Sequence, residues 1–295
     1  MRHIYQSGRY IGRFTTFVLR SMLPAYRLAR GRREKASVAR LALKFVVKRA
    51  VVVLTRLAYN TILQDDVAVS VQGMTYFVGI DAAEISVFGE IYEDRDYDRV
   101  PAFIARAGWT VFDIGANAGV FTVQQAYRGA RVYAFEPNLD CYRRLSKTVA
   151  ANRLGSQVRA FNIALGASPG EGTLVVPQGW TSNGMIVPGS AGPAGGHAST
   201  VTIDTLDRIA PTLAVSRIDL LKIDTEGAEL DVLRGGGQTL SMVERIVLEY
   251  HSFANLADAR SLLSEHDFTE VSRVEMDAGA GTGILYAQRM SGATQ

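Results

Sequence analysis

Asp224 and Glu226 stand two residues apart in Lys222-Ile-Asp-Thr-Glu-Gly-Ala-Glu229, directly after the apolar run Ile218–Ile223. Carboxylates at the end of such a run can take a proton from a hydroxyl nucleophile or stand opposite a cation. A second run, Val243–Glu249, leads into Tyr250-His251, and an imidazole there can act as a base or serve as a packing residue. Asp224, Glu226 and His251 are the catalytic candidates. Glu229 and Asp231 read as acids of a first helical turn, favoured by the helix dipole. A third segment, Asp113-Ile-Gly115-Ala-Asn117-Ala-Gly119, follows Trp109–Phe112. Gly115 and Gly119 permit a tight turn and the close approach of a ligand to backbone. A dinucleotide loop has glycine where Asn117 stands and receives pyrophosphate at its helix start. Asp113 at the loop mouth would repel pyrophosphate and attract the ammonium end of a methionine-type ligand. The loop thus points to S-adenosyl-L-methionine rather than NAD, with Asp113, Gly115, Asn117 and Gly119 as its contacts.

About twenty residues on, Glu136-Pro137-Asn138 closes the run Arg131–Phe135, where a carboxylate can accept both hydroxyls of a ribose. Asn162-Ile-Ala164-Leu-Gly166 offers small and apolar groups to an adenine and the Asn162 amide to its edge. Glu136, Pro137, Asn138, Asn162 and Ala164 complete the candidate cofactor set. The principal reading has no metal. A metal-assisted alternative would gather Asp224, Glu226, Glu249 and His251 as oxygen and nitrogen ligands.

These residues need strand ends to hold them. Trp109–Ile114, Arg131–Phe135, Val158–Asn162, Ile218–Ile223 and Val243–Glu249 are short, β-branched-rich runs suited to strands buried on both faces. Helical patterns lie between them at Gly119–Arg128, Leu139–Ala151, Glu226–Arg234 and Asn255–Ser264. The alternation predicts an α/β fold, a parallel sheet with helices on both faces. Phe268–Val274 and Gly283–Gln288 have no room for a crossover helix and should form an antiparallel hairpin at the sheet edge. Five parallel strands and such a hairpin make a Rossmann-like, seven-stranded layout over residues 109–290. Ahead of it, residues 61–108 hold a hairpin, Val67–Val71 with Met74–Val78, and a helix over Ile85–Tyr97. Gly179–Ser199, rich in Gly, Pro, Ser and Ala, reads as a mobile loop.

The net charge of +3 conceals an asymmetry. Residues 1–60 carry 14 Lys and Arg against one acid, Glu34, or +13; the remainder has 18 basic and 28 acidic residues, or −10. The catalytic part is therefore no nucleic-acid binder on charge grounds. Residues 1–60 read as a basic helical extension. Charges interrupt Leu41–Tyr59 too often for a membrane span, and a secretion signal is absent. Arg40, Lys44 and Lys48 would form one basic stripe, able to pack on the domain, join a second subunit or touch anionic lipid. The single cysteine, Cys141, fits a packing role in a reducing compartment, and a cytoplasmic protein with peripheral membrane contact is expected.

Phe112-Asp-Ile-Gly-Ala-Asn-Ala-Gly119, Ala134-Phe-Glu-Pro-Asn138, Asn162-Ile-Ala-Leu-Gly166, Thr205-Leu-Asp207, Leu221-Lys-Ile-Asp-Thr-Glu-Gly-Ala-Glu229 and Leu233-Arg-Gly235 together resemble the FkbM family of methyltransferases. The resemblance runs from roughly Ala82 to Gln288. It implies methyl transfer from S-adenosyl-L-methionine, usually to a hydroxyl of a small acceptor such as a sugar or polyketide. A non-catalytic cofactor- or partner-binding module, docked through the basic N-terminus, is the alternative from another class. The retained acids count against it.

Overall fold

The computed structural model describes residues 22–55, 66–80, 82–176, 184–187, 197–277, 279 and 281–290. Two helices come first, α1 (Leu23–Leu28) and α2 (Gly31–Thr55). Val38, Leu41 and Phe45 recur at helical spacing and are buried, seating α2 on the hairpin of β1 (Val67–Val71) and β2 (Met74–Val78). Polar contacts fix the register: Gly73 N–H donates to Glu34 Oε1 at 2.8 Å, and Ser70 N–H to Ser37 Oγ at 3.0 Å. The expected basic stripe is broken. Arg40 is exposed, but Lys48 is buried and directs its ammonium at the Ile80 carbonyl, 3.4 Å away. Residues 1–21 and 56–60 of the extension lie outside the described residues. No helix among the described residues is long and apolar enough to cross a membrane.

The helix expected over Ile85–Tyr97 is shorter. Helix α3 (Ala82–Phe88) widens into one π-helical turn, Gly89–Glu93, and stops. Arg95 takes a left-handed φ of 54°, and Asp96 N–H reaches back to Glu90 O at 2.9 Å. That reversal turns Tyr97 inward, where it is buried.

The main sheet holds β3 (Thr110–Ile114), α4 (Val120–Tyr127), β4 (Arg131–Phe135), α5 (Leu139–Ala151) and β5 (Val158–Phe161) in succession. An insertion follows: β6 (Ala164–Leu165), β7 (Gly170–Val176), β8 (Met185–Val187) and β9 (His197–Asp204). The chain then returns through α6 (Leu206–Thr212), β10 (Leu220–Ile223), α7 (Glu229–Arg234), β11 (Arg245–Tyr250), α8 (Phe253–Glu265), β12 (Phe268–Asp277) and β13 (Thr282–Arg289). The spatial order is β12-β13-β11-β10-β3-β4-β5. β3, β4, β5, β10 and β11 run parallel, and β13 pairs antiparallel with both β11 and β12. This is the Rossmann-like methyltransferase sheet that the alternation predicts. Alternate residues bury on opposite faces: Val111, Val132 and Leu220 in one core, Phe112, Tyr133 and Leu221 in the other. The order reverses between β3 and β10, so the crevice opens where the loops after those two strands diverge.

The insertion corrects one expectation. Within Gly179–Ser199, Met185–Val187 is a strand, and His197–Ser199 begins another, in a second sheet of order β6-β9-β7-β8. Residues 179–183 and 188–196 of that segment lie outside the described residues.

Candidate active site

Register builds the floor of the site. Lys222 on β10 lies directly beside Asp113 on β3, with Nζ 3.2 Å from Asp113 Oδ1. The same ammonium donates to Gly115 O at 2.8 Å and lies 3.2 Å from Asp224 Oδ2, over the rings of Tyr97 and Phe121. Burial works against the charge on Lys222, but Asp113, Asp224 and Glu249 outweigh it and hold the ammonium above its ordinary range. Asp113 is completely enclosed, and its second oxygen accepts from Thr122 Oγ1. This corrects the reading of Asp113 as a carboxylate at the loop mouth. Its carboxylate lies beneath the loop, between Lys222 and Thr122.

Gly115 and Gly119 serve different ends. Gly115 has φ 79°, and a Cβ there would lie 1.7 Å from Asp224 O, so it joins the two strand-end loops. Gly119, at φ 88°, caps α4, and its Cβ would strike Leu145 of α5 at 2.4 Å. It lets two helices pack instead of lining the crevice. Asn117, left-handed at φ 51°, gives its side-chain oxygen to Ala118 N–H and its own N–H to Glu136 Oε2 at 2.7 Å. Glu136 Oε1 takes Asn138 N–H at 2.8 Å. Burial outweighs these two N–H groups and pushes Glu136 up to about 7. Asn138 also caps α5.

A cleft of ≈ 660 Å³, part of it open solvent, runs over these residues. Gly115, Asn117, Glu136, Pro137 and Asn138 form one side, and Ile163, Ala164, Leu165, Leu174 and Ile186 an apolar wall opposite. Asn162 is not among its lining. The Asn162 amide donates to Glu136 O and Pro137 O at 2.8 and 3.0 Å, stapling the turn that holds Glu136 rather than reading a ligand edge. The insertion strands supply Leu174 and Ile186, which sequence reasoning missed.

Asp224 and Glu226 line the far end of the cleft. Glu226 is left-handed, φ 53°, and Gly227 follows at φ 109°, so the helix expected from Glu226 starts only at Glu229. Non-glycine residues in that conformation cost energy and concentrate at functional sites. Glu229 is fully buried and does more than favour a helix dipole: Oε1 accepts Gly227 N–H at 2.8 Å and meets His251 Nδ1 at 3.1 Å. Burial opposes its charge, but His251 and Gly227 hold it below the usual carboxylate range. The other imidazole nitrogen lies 3.5 Å from Glu226 and 3.7 Å from Glu249. Burial works against protonated His251, yet Glu229 and the charges of Asp224 and Glu249 push it up to about 9. A protonated imidazole has no free lone pair, so this shift sets His251 against a role as proton acceptor.

Tyr97 donates to Glu249 Oε2 at 2.7 Å and lies 3.2 Å from Asp224 Oδ2. Burial and the Asp224 charge hold Glu249 well above the usual carboxylate range, and burial foremost also raises Glu226. Asp224, Glu249 and His251 can each bring one ligand atom within 4.8 Å of the others. Lys222 and Tyr97 were not singled out by their types, and Glu229 was read only as an acid of a first helical turn. One signal was present for Lys222, a lysine inside an otherwise apolar strand.

Other recurrent segments are structural. Thr205 caps α6, Asp207 accepts from the N–H groups of Gln238 and Thr239, and a Cβ on Gly235 would meet Gly166 O at 2.0 Å.

Residues 113–270 match the model of the methyltransferase FkbM domain, over the same loop, rim and sheet. The chain belongs to the FkbM methyltransferase family. It is 31% identical over 195 residues to methyltransferase sdnD of Sordaria araneosa, covering 55% of this chain and 73% of that one. With the AMB antimetabolite synthetase AmbE of Pseudomonas aeruginosa it shares 33% identity over 234 residues, 65% of this chain but 11% of that much longer protein. The 31-O-demethyl-FK506 methyltransferase FkbM of Streptomyces tacrolimicus is 26% identical over 70% of this chain and 90% of its own length.

Proposed function

We propose that this methyltransferase moves the methyl group of S-adenosyl-L-methionine to a hydroxyl of a small acceptor. The observation that carries the reading is the meeting of two cavities at Gly115, Asn117 and Asp224, the larger suited to a nucleoside and the shared wall carrying proton acceptors. The residues fit the cofactor. Glu136 is held by two backbone N–H groups beside a cleft whose apolar wall suits the faces of an adenine. When bound, S-adenosyl-L-methionine supplies an already activated methyl. The chain's own residues then align an acceptor oxygen and remove its proton, Asp224 being the carboxylate where the cavities meet and Glu226 one that lines the larger cavity. His251, charged against Glu229, offsets the repulsion between Glu226 and Glu249. The printed name of the S. tacrolimicus relative supports oxygen as the receiving atom.

Calorimetry with S-adenosyl-L-methionine should give saturable binding, followed by label transfer from methyl-labelled cofactor to sugar or polyketide alcohols. No binding would sink the cofactor; transfer to amines alone would sink the hydroxyl. The Asp224, Glu249 and His251 cluster also favours a second reading, in which a divalent cation orients the acceptor oxygen. Turnover unchanged by a chelator rules that out.

A further inference from the structure

With Asp113 sealed beneath the loop by Lys222 and Thr122, a methionine-type ammonium needs a different counter-charge. The second cavity, ≈ 400 Å³, lies on the other side of the Gly115–Asn117 loop from the adenine-sized cleft, and the π-helical turn after α3 forms its opposing wall. Three further acids face it. Glu84 is held by Arg144 at 2.5 Å and by Gly79 N–H at 2.7 Å. Asp224 has Lys222 and Tyr97. Glu90, the third, forms no ion pair among the described residues; its one side-chain partner is the hydroxyl of Ser86. The far wall adds the first turn of α4, Val120 and Phe121, whose backbone N–H groups have no acceptor within their own helix. Among these walls a zwitterion would find a negative group at Glu90 for its cation and a helix N-terminus at α4 for its anion.

We infer that Glu90 receives the ammonium group of the methionine end of the cofactor, an assignment that rests on the S-adenosyl-L-methionine reading above. Burial pushes Glu90 up to about 7 against the Ser86 bond, and the Asp224 charge adds to it. Two probes separate the groups: S-adenosylhomocysteine carries the amino-acid end, and 5′-methylthioadenosine lacks it while keeping the nucleoside. Calorimetry on the full chain should find that Glu90→Gln weakens S-adenosylhomocysteine by roughly 10- to 100-fold, the range for losing a hydrogen bond to a charged group. Methylthioadenosine should change by less than about 2-fold, and Glu90→Asp should fall between wild type and Glu90→Gln for S-adenosylhomocysteine. The proposal is overturned by unchanged S-adenosylhomocysteine affinity, by equal weakening of both probes, or by an effect confined to the KM of the acceptor. Should wild-type protein bind neither probe, the cofactor reading itself fails, a result distinct from all three.

Discussion

Asp113 and Asp224 lie on either side of one ammonium, each 3.2 Å from Lys222 Nζ, and belong to different regions of the site. Below, Asp113, Lys222 and Thr122 form a sealed set in which each charge has its partner. Above, Asp224, Glu226, Glu229 and Glu249 share that same lysine with a single imidazolium, and Asp224 keeps about a quarter of its side-chain surface exposed. The parallel register makes the difference. It places Lys222 opposite Asp113 in the ladder, while Asp224 is two residues further on, where the strands end and solvent enters. The floor holds geometry, and the rim gathers carboxylates that outnumber the cations beside them.

The largest effect should come from the floor. Lys222→Met leaves Asp113 buried without its cation and should cost about 3–5 kcal/mol in denaturant unfolding, with much of that recovered in Asp113→Asn/Lys222→Met. A loss under about 1 kcal/mol would erase the distinction, since such pairs matter only when desolvated. At the rim, Asp224→Asn should lower turnover by about 100-fold or more while shifting stability by under about 1 kcal/mol. Parallel turnover and thermal-unfolding measurements test it; a stability loss like that of Lys222→Met would move Asp224 into the floor.

His251 gives a pH-dependent test between those two. Its folded pKa of about 9 exceeds the unfolded value of ~6.5, so its stabilisation is full below pH ~6.5 and is lost as pH rises through 9. Unfolding free energies from urea titration should therefore fall between pH 7 and 10 by roughly 1–3 kcal/mol more in wild type than in His251→Gln. Identical slopes would mean that the imidazole is neutral when folded. The smallest effect belongs outside both regions: Arg143→Ala, which breaks an exposed pair with Asp140, should change stability by less than about 0.5 kcal/mol.

How far the sequence exposed this arrangement depended on which contacts were local. β4 and α5 begin and end where the sequence pattern places them, because that patterning acts within a few residues; Asn138, read as a cofactor contact, is the cap of α5. The edge hairpin was legible for the same reason, as its connection leaves no room for a crossover. Asp113 was misplaced because its environment is set by Lys222, more than a hundred residues away, and spacing cannot report which strand lies next to which. Asn162 was misjudged because an amide that staples a turn looks the same in a string as one that reads adenine; Glu229 does stand in a first helical turn, but its grip on the imidazole was invisible there. The second sheet was hidden by composition. Strands Met185–Val187 and His197–Asp204 pair with a partner beyond the glycines and prolines that mark the segment as a loop.

Gly115 has a mechanical consequence. A single hydrogen in place of a methyl lets the carbonyl of Asp224 rest against the loop that would cradle the cofactor. The two segments are thereby clamped at one point, with no side chain between them to absorb a shift. A displacement of one loop must therefore move the other, because the contact is backbone on backbone.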